Sequence, residues 1–405
     1  MSPIIKAIIS RRMLVSFVMG FASGLPLLLT ISVLQAWMKD EGVDLSVIGL
    51  MALVGLPYTL KFLWAPLFDR FTLPFLGRRK GWLLVAQITL MLSIVGLGFT
   101  NPSNNPWLVA FAAFLVTFFS ASQDIVIDAY RREDLADEEL GLGSSLYVNG
   151  YRLAMLLASG GGLILADVTS FRLVYLTMAS CMSVGVIATL LTPEPEVPAG
   201  SPKSLKEAVV DPFKEYFSRT GALWILAFIL FYKIGDTMAS AMTIPFYLDI
   251  GFSKTEIGAV VKLFGFWATI AGSLAGGIFI LQCGINRSLW VFGFLQAIST
   301  AGFAVLFYIG HSIPALAAVV AFENFSAGLG TSAFVAFMAS LTNKKFTATQ
   351  YALLSSLMGV PRVFASAPTG FMVEAMGWSG FFIFCALIAI PGMLLLLKFA
   401  PWRQK

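Results

Sequence analysis

Long apolar runs, separated by short polar or Gly/Pro-rich turns, follow one another along almost the whole chain. A run of about 20 apolar residues can cross the hydrocarbon core of a bilayer as a helix. The pattern predicts twelve membrane-spanning helices, and no cleavage signal precedes the first. Their approximate bounds are 13–38, 46–69, 81–99, 106–130, 142–166, 171–192, 221–249, 254–281, 288–309, 313–341, 348–375 and 377–399.

Composition agrees with a polytopic membrane protein. The 405 residues are 58% hydrophobic and only 12% charged, with a mean hydropathy of +0.84, whereas soluble domains carry about 25% charged residues. The three cysteines, Cys181, Cys283 and Cys385, and the one histidine, His311, match no metal-ligand or disulfide spacing. We therefore expect no metal site, no disulfide framework and no cofactor.

The distribution of Lys and Arg predicts the orientation in the membrane. Of 27 cations, 19 fall in connections on the side of the N-terminus, 3 fall in the opposite connections, and five lie inside spans. The positive-inside rule therefore places both termini in the cytoplasm. Because the net charge of +5 marks topology, nucleic acid is not an expected partner.

The longest connection divides the chain into two six-helix halves. It runs over 192–219, begins with a proline-rich stretch and continues from Ser204 as an amphipathic segment suited to the membrane surface. We predict an N-terminal bundle at 1–192, a cytoplasmic linker at 193–219 and a C-terminal bundle at 220–405.

The two halves resemble each other. Residues 41–50 align with 250–259 at an offset of 209, and residues 151–160 align with 361–370 at an offset of 210. Two six-helix repeats of the same orientation are typical of the major facilitator superfamily, an all-α membrane fold that binds its substrate between the repeats near the middle of the bilayer. A monomer is the expected state for this fold.

Nine ionisable side chains fall inside the predicted spans, where a charge costs several kcal/mol unless it is paired, protonated or facing water. They are the cations Lys61, Arg152, Lys233, Lys262 and Arg362 and the acids Asp124, Asp128, Asp236 and Glu323. Structural ion pairing is one interpretation, since Lys233 and Asp236 are three residues apart. Nine groups spread over seven helices favour instead a water-filled cavity shared by the two halves.

A cavity of this composition favours an anionic ligand. Amide side chains in the predicted spans could add hydrogen bonds, and aromatic rings could stack on sugar rings, although helix packing is the alternative role for each ring. These side chains are Gln35, Gln123, Asn149, Asn324, Tyr58, Trp64, Tyr151 and Trp267.

The connection between the second and third spans contains a candidate gating motif. It reads APLFDRFTLPFLGRRKGW and resembles the major facilitator loop in which an Asp at a helix end precedes a Gly and a basic cluster, with TLPF as additional residues. The candidate residues are Asp69, Arg70, Gly77, Arg78 and Arg79. Asp69 could accept hydrogen bonds from a neighbouring helix N-terminus and hold a cytoplasmic gate shut.

Colinear segments across nearly the whole chain resemble the AmpG-type muropeptide permeases. They are GFASGLPLLLTISVLQAWM, YTLKFLWAPLFDRF, GRRKGWLL, SASQDIVIDAY, GYRLAML, YKIGD, FEN, GLGTSAFVA and FTATQYALLSS. The resemblance implies a proton-driven importer in the inner membrane of Gram-negative bacteria. It would carry N-acetylglucosaminyl-1,6-anhydro-N-acetylmuramyl peptides from periplasm to cytoplasm for cell-wall recycling, and these peptides would also feed β-lactamase induction.

Proton coupling requires an acid that can protonate. Asp124 and Asp128 are four residues apart on one helix face, where mutual repulsion favours their sharing one proton. We rank Asp124 first because Asp128 lies closer to cytoplasmic water, and Asp236 and Glu323 are further candidates.

Other functions stay open at this stage. The chain could carry another large anion such as acetyl-CoA, because acetyl-CoA transporters resemble it distantly. An intramembrane transferase is disfavoured by the repeat architecture and the single histidine. A receptor would bind ligand without accumulating it.

Overall fold

The chain folds almost entirely into helices. The computed structural model describes residues 9–43, 45–196, 202, 204–253, 256–359, 365, 368–400 and 402, and these contain no β-strand. Ten helices in this part of the chain are long and apolar enough to cross a membrane, and one further apolar stretch, Leu53–Leu63, is shorter. The predicted all-α membrane fold is confirmed.

We label the helices in chain order. They are α1 Arg11–Asp40, α2 at 45–70, α3 Lys80–Gly98, α4 Pro106–Asp134, α5 Asp137–Val168, α6 Phe171–Leu191, α7 Leu205–Ser218, α8 Ala222–Asp249, α9 Ile257–Cys283, α10 Ile285–Ile309, α11 Ile313–Ser340, α12 Thr347–Leu357 and α13 Thr369–Phe399. The π-helical turns Leu29–Val33, Leu157–Gly161 and Ile257–Phe264 lie inside α1, α5 and α9. Such turns are frequent at functional sites.

The second predicted span is interrupted. Helix α2 consists of short α and 3₁₀ pieces, and Pro57 and Pro66 lie in the first turns of two of them, Leu56–Leu60 and Ala65–Arg70. Proline has no N–H to donate within a helix, and each of these two prolines lies where a new helical piece begins. A continuous helix over 46–69 was therefore the wrong expectation.

The end of the chain also departs from regular helix. Gly377 has φ 71° and ψ 170°, which breaks α13 at the predicted boundary between the last two spans. Helix α12 covers the start of the eleventh predicted span, and residues 360–364, 366 and 367 of that span lie outside the described residues.

The chain separates into two compact units. Unit 1 comprises Met1–Ala136, Leu146–Phe213 and Leu341–Ser356, and unit 2 comprises Asp137–Ser145, Lys214–Ser340 and Leu357–Lys405. The domain boundaries at residues 192 and 219 stay a prediction.

Small residues permit close helix crossings in unit 1. A Cβ added to Gly20 or Gly24 of α1 would collide with the backbone of Tyr147 or Tyr151 of α5, and one added to Gly150 would collide with α1. Helices associate in a bilayer chiefly through van der Waals packing and hydrogen bonds. The glycines therefore allow the contact between α1 and α5.

Small residues also permit a close crossing of α9 and α11 in unit 2. A Cβ on Gly272 would collide with the backbone of Phe325, and a Cβ on Gly328 would collide with that of Thr269. Buried aromatic rings fill a core of this unit: Phe246, Phe303, Phe381 and Phe382.

Candidate functional site

Two carboxylates and two cations of unit 1 form what we call the unit 1 charge cluster: Lys61, Asp124, Asp128 and Arg131. Lys61 Nζ lies 3.8 Å from Asp128 Oδ2, and Arg131 donates to Asp128 Oδ1 at 3.1 Å. Each of the four residues is at most 7% exposed. The number of buried cations therefore equals the number of buried acids in this cluster.

Hydroxyl groups from three other helices add hydrogen bonds to this cluster. Ser23 of α1 donates to Asp124 Oδ1 and hydrogen-bonds the Tyr147 hydroxyl of α5 at 2.9 Å. Arg131 donates to the Tyr351 hydroxyl of α12 at 2.9 Å, and its guanidinium lies 4.5 Å from the centroid of the Tyr147 ring. Hydrogen bonds to ionised groups are roughly twice as strong as neutral ones, so these contacts stabilise the cluster.

Sequence reasoning missed Ser23, Arg131, Tyr147 and Tyr351. It counted Arg131 as a loop cation because the fourth span was predicted to end at residue 130, whereas α4 continues to Asp134. The three-residue spacing of Asp128 and Arg131 could have indicated the pair. The predicted binding residue Arg152 is half-buried on α5.

Two predicted amide residues of unit 1 are buried with unused polar atoms. Gln123 donates to the Ala22 carbonyl at 3.0 Å, but its Oε1 has no partner among the described residues. Within the same described residues, neither amide atom of the buried Asn149 is hydrogen-bonded. An unsatisfied buried polar group costs about 1–3 kcal/mol, so water or a ligand is the expected partner. The predicted residue Gln35 is exposed on α1.

The predicted aromatic residues of unit 1 make local contacts. Tyr58 donates to the Ser120 hydroxyl at 2.9 Å, and the Trp64 indole donates to the Ser122 hydroxyl at 3.0 Å. These bonds attach α2 to α4. Tyr151 is half-buried on α5, and a role of these rings in stacking on substrate stays a prediction.

Three charged residues of unit 2 form the unit 2 charge cluster: Lys233, Asp236 and Glu323. Lys233 Nζ lies 3.3 Å from Asp236 Oδ2 and donates to the Thr331 hydroxyl of α11 at 3.1 Å. The predicted pairing of Lys233 with Asp236 is therefore confirmed. Glu323 of α11 is within hydrogen-bonding reach of Asp236 and of Ser299 on α10.

The other predicted residues of unit 2 differ in burial. Asn324 is half-buried, and its Oδ1 accepts a hydrogen bond from Thr269 at 3.0 Å. Lys262, in the π-helical turn of α9, and Trp267 are exposed. Arg362 lies outside the described residues.

The gating motif forms a buried network in unit 1. Asp69 is fully buried and lies 3.3 Å from Arg78 and 2.8 Å from Arg79. It accepts hydrogen bonds from the backbone N–H of Ala348 at 3.3 Å and of Thr349 at 2.8 Å, and from the Thr349 hydroxyl at 2.7 Å. The predicted bonds from a helix N-terminus are present and come from α12. The gating role itself stays a prediction.

Two acids that were not predicted complete this network. Glu133 accepts two hydrogen bonds from Arg79 Nε, at 2.9 and 3.1 Å, and one from its NH2 group at 2.6 Å. Glu194 accepts hydrogen bonds from the backbone N–H groups of Arg79 at 2.6 Å and Lys80 at 3.0 Å, at the start of α3. Gly77 has φ +93°, and an added Cβ would lie 2.7 Å from the Glu194 side chain, so this position requires glycine.

The arginines of the motif differ electrostatically. Burial acts to lower the pKa of Arg79, but the charges of Glu133 and Asp69 outweigh it and raise that pKa above its usual value. Burial, together with the charge of Arg79, lowers the pKa of Arg78. Arg70 is half-buried and lies 5.4 Å from the Phe71 ring centroid. Arg79 is therefore the cation around which the network is organised.

Comparisons with known proteins agree on the family. The model of the Major Facilitator Superfamily matches residues 13–309. The anhydromuropeptide permease of Escherichia coli K12 is 46% identical over 388 residues, covering 95% of this chain and 79% of that protein. The putative transporter AmpG 4 of Rickettsia felis is 36% identical over 396 residues, covering 95% and 96%.

A solved structure supports the same architecture. The proton:xylose symporter XylE matches with a TM-score of 0.71 at 11% identity, covering 96% of this chain and 95% of the other. Fold and apolar helices define a multi-pass membrane transporter. The chain belongs to the Major Facilitator Superfamily and, within it, to the family of AmpG-type anhydromuropeptide permeases. The resemblance stated from the sequence is confirmed.

Proposed function

We propose that this protein imports N-acetylglucosaminyl-1,6-anhydro-N-acetylmuramyl peptides from the periplasm into the cytoplasm for peptidoglycan recycling. The observation that carries the proposal is the 46% identity, over 95% of the chain, to a protein named anhydromuropeptide permease. Since the relatives are named permeases and transporters, the protein moves its substrate without altering it and needs no cofactor.

The substrate offers stem-peptide carboxylates, sugar hydroxyls and ring faces. Cations, amides and aromatic rings on the spanning helices have complementary chemistry. The residues proposed to bind are Lys61, Gln123, Arg152, Lys233, Lys262, Asn324, Arg362, Gln35, Tyr58, Tyr151 and Trp267.

The ion pairs differ in how readily a substrate carboxylate could replace the protein carboxylate. Lys61 and Asp128 are 3.8 Å apart, whereas Arg79 and Asp69 are 2.8 Å apart. The longer pair lacks hydrogen-bond geometry and is the easier one to exchange. Lys61 therefore binds substrate in this proposal, and Arg79 keeps a structural role.

The proton gradient drives import, and one of the four acids Asp124, Asp128, Asp236 and Glu323 carries the proton. The residues Asp69, Arg70, Gly77, Arg78 and Arg79 form the cytoplasmic gate, which opens when α12 releases Asp69. Such opening and closing is the basis of alternating access in this class of fold.

The location proposed is the bacterial inner membrane, with both termini in the cytoplasm and the protein as a monomer. In a bacterium with an inducible β-lactamase, the imported muropeptides would also feed its induction, which links transport to antibiotic resistance.

Uptake by purified protein in liposomes tests this function. Labelled disaccharide-tetrapeptide should accumulate when an inward proton gradient is imposed, and it should be recovered unchanged. Glu138→Gln, a change at an exposed position, serves as the control variant. Lack of uptake, a chemically altered product, or displacement by acetyl-CoA but not by unlabelled muropeptide would overturn the proposal.

A further inference from the structure

The unit 2 charge cluster contains one more acid than cations. Asp236 is paired with Lys233, and Glu323 has no ion pair among the described residues. Lys262, the one charged residue of α9, makes no ion pair with either acid in the described part of the chain. If both acids were ionised, this cluster would carry a net negative charge within the membrane-spanning helices.

One carboxylate oxygen of Glu323 is buried without a hydrogen-bond donor in the described part of the chain. Its residue exposure is 9%, and its Oε2 has no hydrogen-bond partner among the described residues. The polar groups that act on Glu323 are the Asp236 carboxylate, the Ser299 hydroxyl and the Lys233 ammonium group. Ionisation of one carboxylate disfavours ionisation of its neighbour at low dielectric constant, whereas one proton between them supplies the missing donor.

A cavity beside Asp236 provides an independent observation. It is lined by Asp236, Gln296 and Thr300, among others, and has room for about one water molecule. Gln296 is 6% exposed, and its Nε2 has no hydrogen-bond partner in the described residues. A buried amide donor at this cavity points to a water molecule, which can accept its hydrogen bond, next to the acid.

We propose that Asp236 and Glu323 share one exchangeable proton and that this pair, with water held by Gln296, is the proton-binding site of the transport cycle. This inference rests on the proposed function, because it assigns the site of its coupling ion. The unit 1 charge cluster differs in that its cations equal its acids in number: Lys61 and Arg131 both pair with Asp128, and Ser23 donates to Asp124.

The surroundings assign the proton to Glu323. Asp236 lies in the first turn of the helical piece Ile234–Asp249 and is ion-paired with Lys233 at 3.3 Å, whereas Glu323 has no ion pair among the described residues. In the described part of the chain, the other titratable groups near the pair are Tyr232 and Tyr247 of α8 and the Cys385 thiol of α13, which lines the cavity beside Asp236. The O–H bond of Glu323 therefore forms when a hydronium ion delivers its proton, and it breaks when the proton leaves to water.

Protonation or deprotonation of Glu323 also changes the contact between α8 and α11. Lys233 bonds Asp236 on its own helix and Thr331 on α11. A deprotonated Glu323 adds a second negative charge that competes for Lys233. The proton state of Glu323 thereby acts on the bonds that join these two helices.

Infrared difference spectroscopy on the wild-type protein tests the shared proton without any transport measurement. The spectrum should contain the carbonyl stretch of a protonated carboxylic acid at neutral pH, and Glu323→Gln should lack it. Absence of this band in the wild type, or its persistence in Glu323→Gln, would overturn the proposal even if muropeptide uptake is normal.

Transport measurements test the coupling itself. In liposomes, the accumulation driven by a proton gradient should be at least about tenfold lower for Glu323→Gln than for the wild type. The variant should still exchange labelled for unlabelled muropeptide. Full accumulation in Glu323→Gln, or accumulation that follows a sodium gradient instead, would refute the pair as the proton site. A wild type that takes up no muropeptide refutes the proposed function, and the infrared band then decides separately whether the two acids share a proton.

Discussion

The two charge clusters differ in how their buried charges are compensated. In the unit 1 charge cluster, the two cations Lys61 and Arg131 both pair with Asp128, and Ser23 donates to Asp124. In the unit 2 charge cluster, one lysine faces two acids, and a carboxylate oxygen of Glu323 lacks a donor in the described structure. A buried cluster with as many cations as acids favours a fixed arrangement, whereas a missing charge partner leaves room for a proton.

The difference between the two clusters also distinguishes charges that stabilise the fold from charges that take part in transport. Buried ion pairs often contribute little net stability compared with apolar residues, but the removal of one partner is costly because it leaves an unpaired charge. The number of remaining cations should therefore decide how severe each substitution is. Substitutions in the two clusters test this comparison.

The largest effect is expected from Lys233→Met, which leaves the unit 2 charge cluster without a cation. An uncompensated buried charge costs about 3–5 kcal/mol, and about 1.4 kcal/mol corresponds to a tenfold change in rate. Muropeptide uptake should therefore fall at least about 100-fold. The matched change Lys61→Met leaves Arg131 beside Asp128, so its uptake should fall only about tenfold.

The double variant Lys233→Met with Asp236→Asn supplies the control, because it removes both charges of one pair. It should recover at least about tenfold of the muropeptide exchange lost in Lys233→Met, whereas accumulation driven by a proton gradient should stay low because Asp236 is part of the proton-binding pair. Size-exclusion profiles show whether each variant is folded. A larger loss in Lys61→Met than in Lys233→Met would contradict the comparison.

The general architecture could be predicted from the sequence because apolar helices obey a simple length rule. Hydropathy does not register the missing N–H of Pro57 and Pro66, and so α2 was expected to be continuous. Arg131 was assigned to a loop for a related reason, since a charge ends a hydropathy run although the helix continues.

The contacts of the site depend on residues far apart in the chain. Asp69 accepts hydrogen bonds from Thr349, 280 residues away, and only the resemblance of its motif suggested that bond. Glu194 lies in the predicted linker and carries no signal of its contact with α3. The pairing of Lys233 with Asp236 could be predicted because both residues lie within one helical turn.

A smaller effect is expected from Asp124→Asn. The change removes a charged acceptor for Ser23 but leaves Asp128 between Lys61 and Arg131, so the uptake rate should fall about five- to tenfold. The accumulation ratio reached under an imposed proton gradient should stay at the wild-type value, because the proton is not held here. Comparison of initial rates with final accumulation separates the two quantities. Collapse of the accumulation ratio would move the proton site to the unit 1 charge cluster.

The smallest effect is expected from Glu256→Gln in unit 2, where a half-buried surface carboxylate is balanced by local hydrogen bonds instead of a buried cation. Its Oε2 accepts from the Ser253 N–H at 2.7 Å and from the Ser253 hydroxyl at 2.8 Å. These bonds lower the pKa of Glu256, with a smaller contribution from His311. A lowered folded-state pKa stabilises the fold above the unfolded-state pKa, and this contribution is lost as the pH falls through the folded-state value.

Thermal unfolding in detergent measures this contribution. At pH 7, Glu256→Gln should lower Tm by less than about 2 °C, since substitutions at surface positions shift stability little. The difference in Tm from the wild type should shrink as the pH is lowered through the acid range, because glutamine has no proton to gain or lose there. Muropeptide uptake should stay within about twofold of the wild type. A loss of uptake similar to that of Lys233→Met would show that burial does not decide which charges of unit 2 matter for transport.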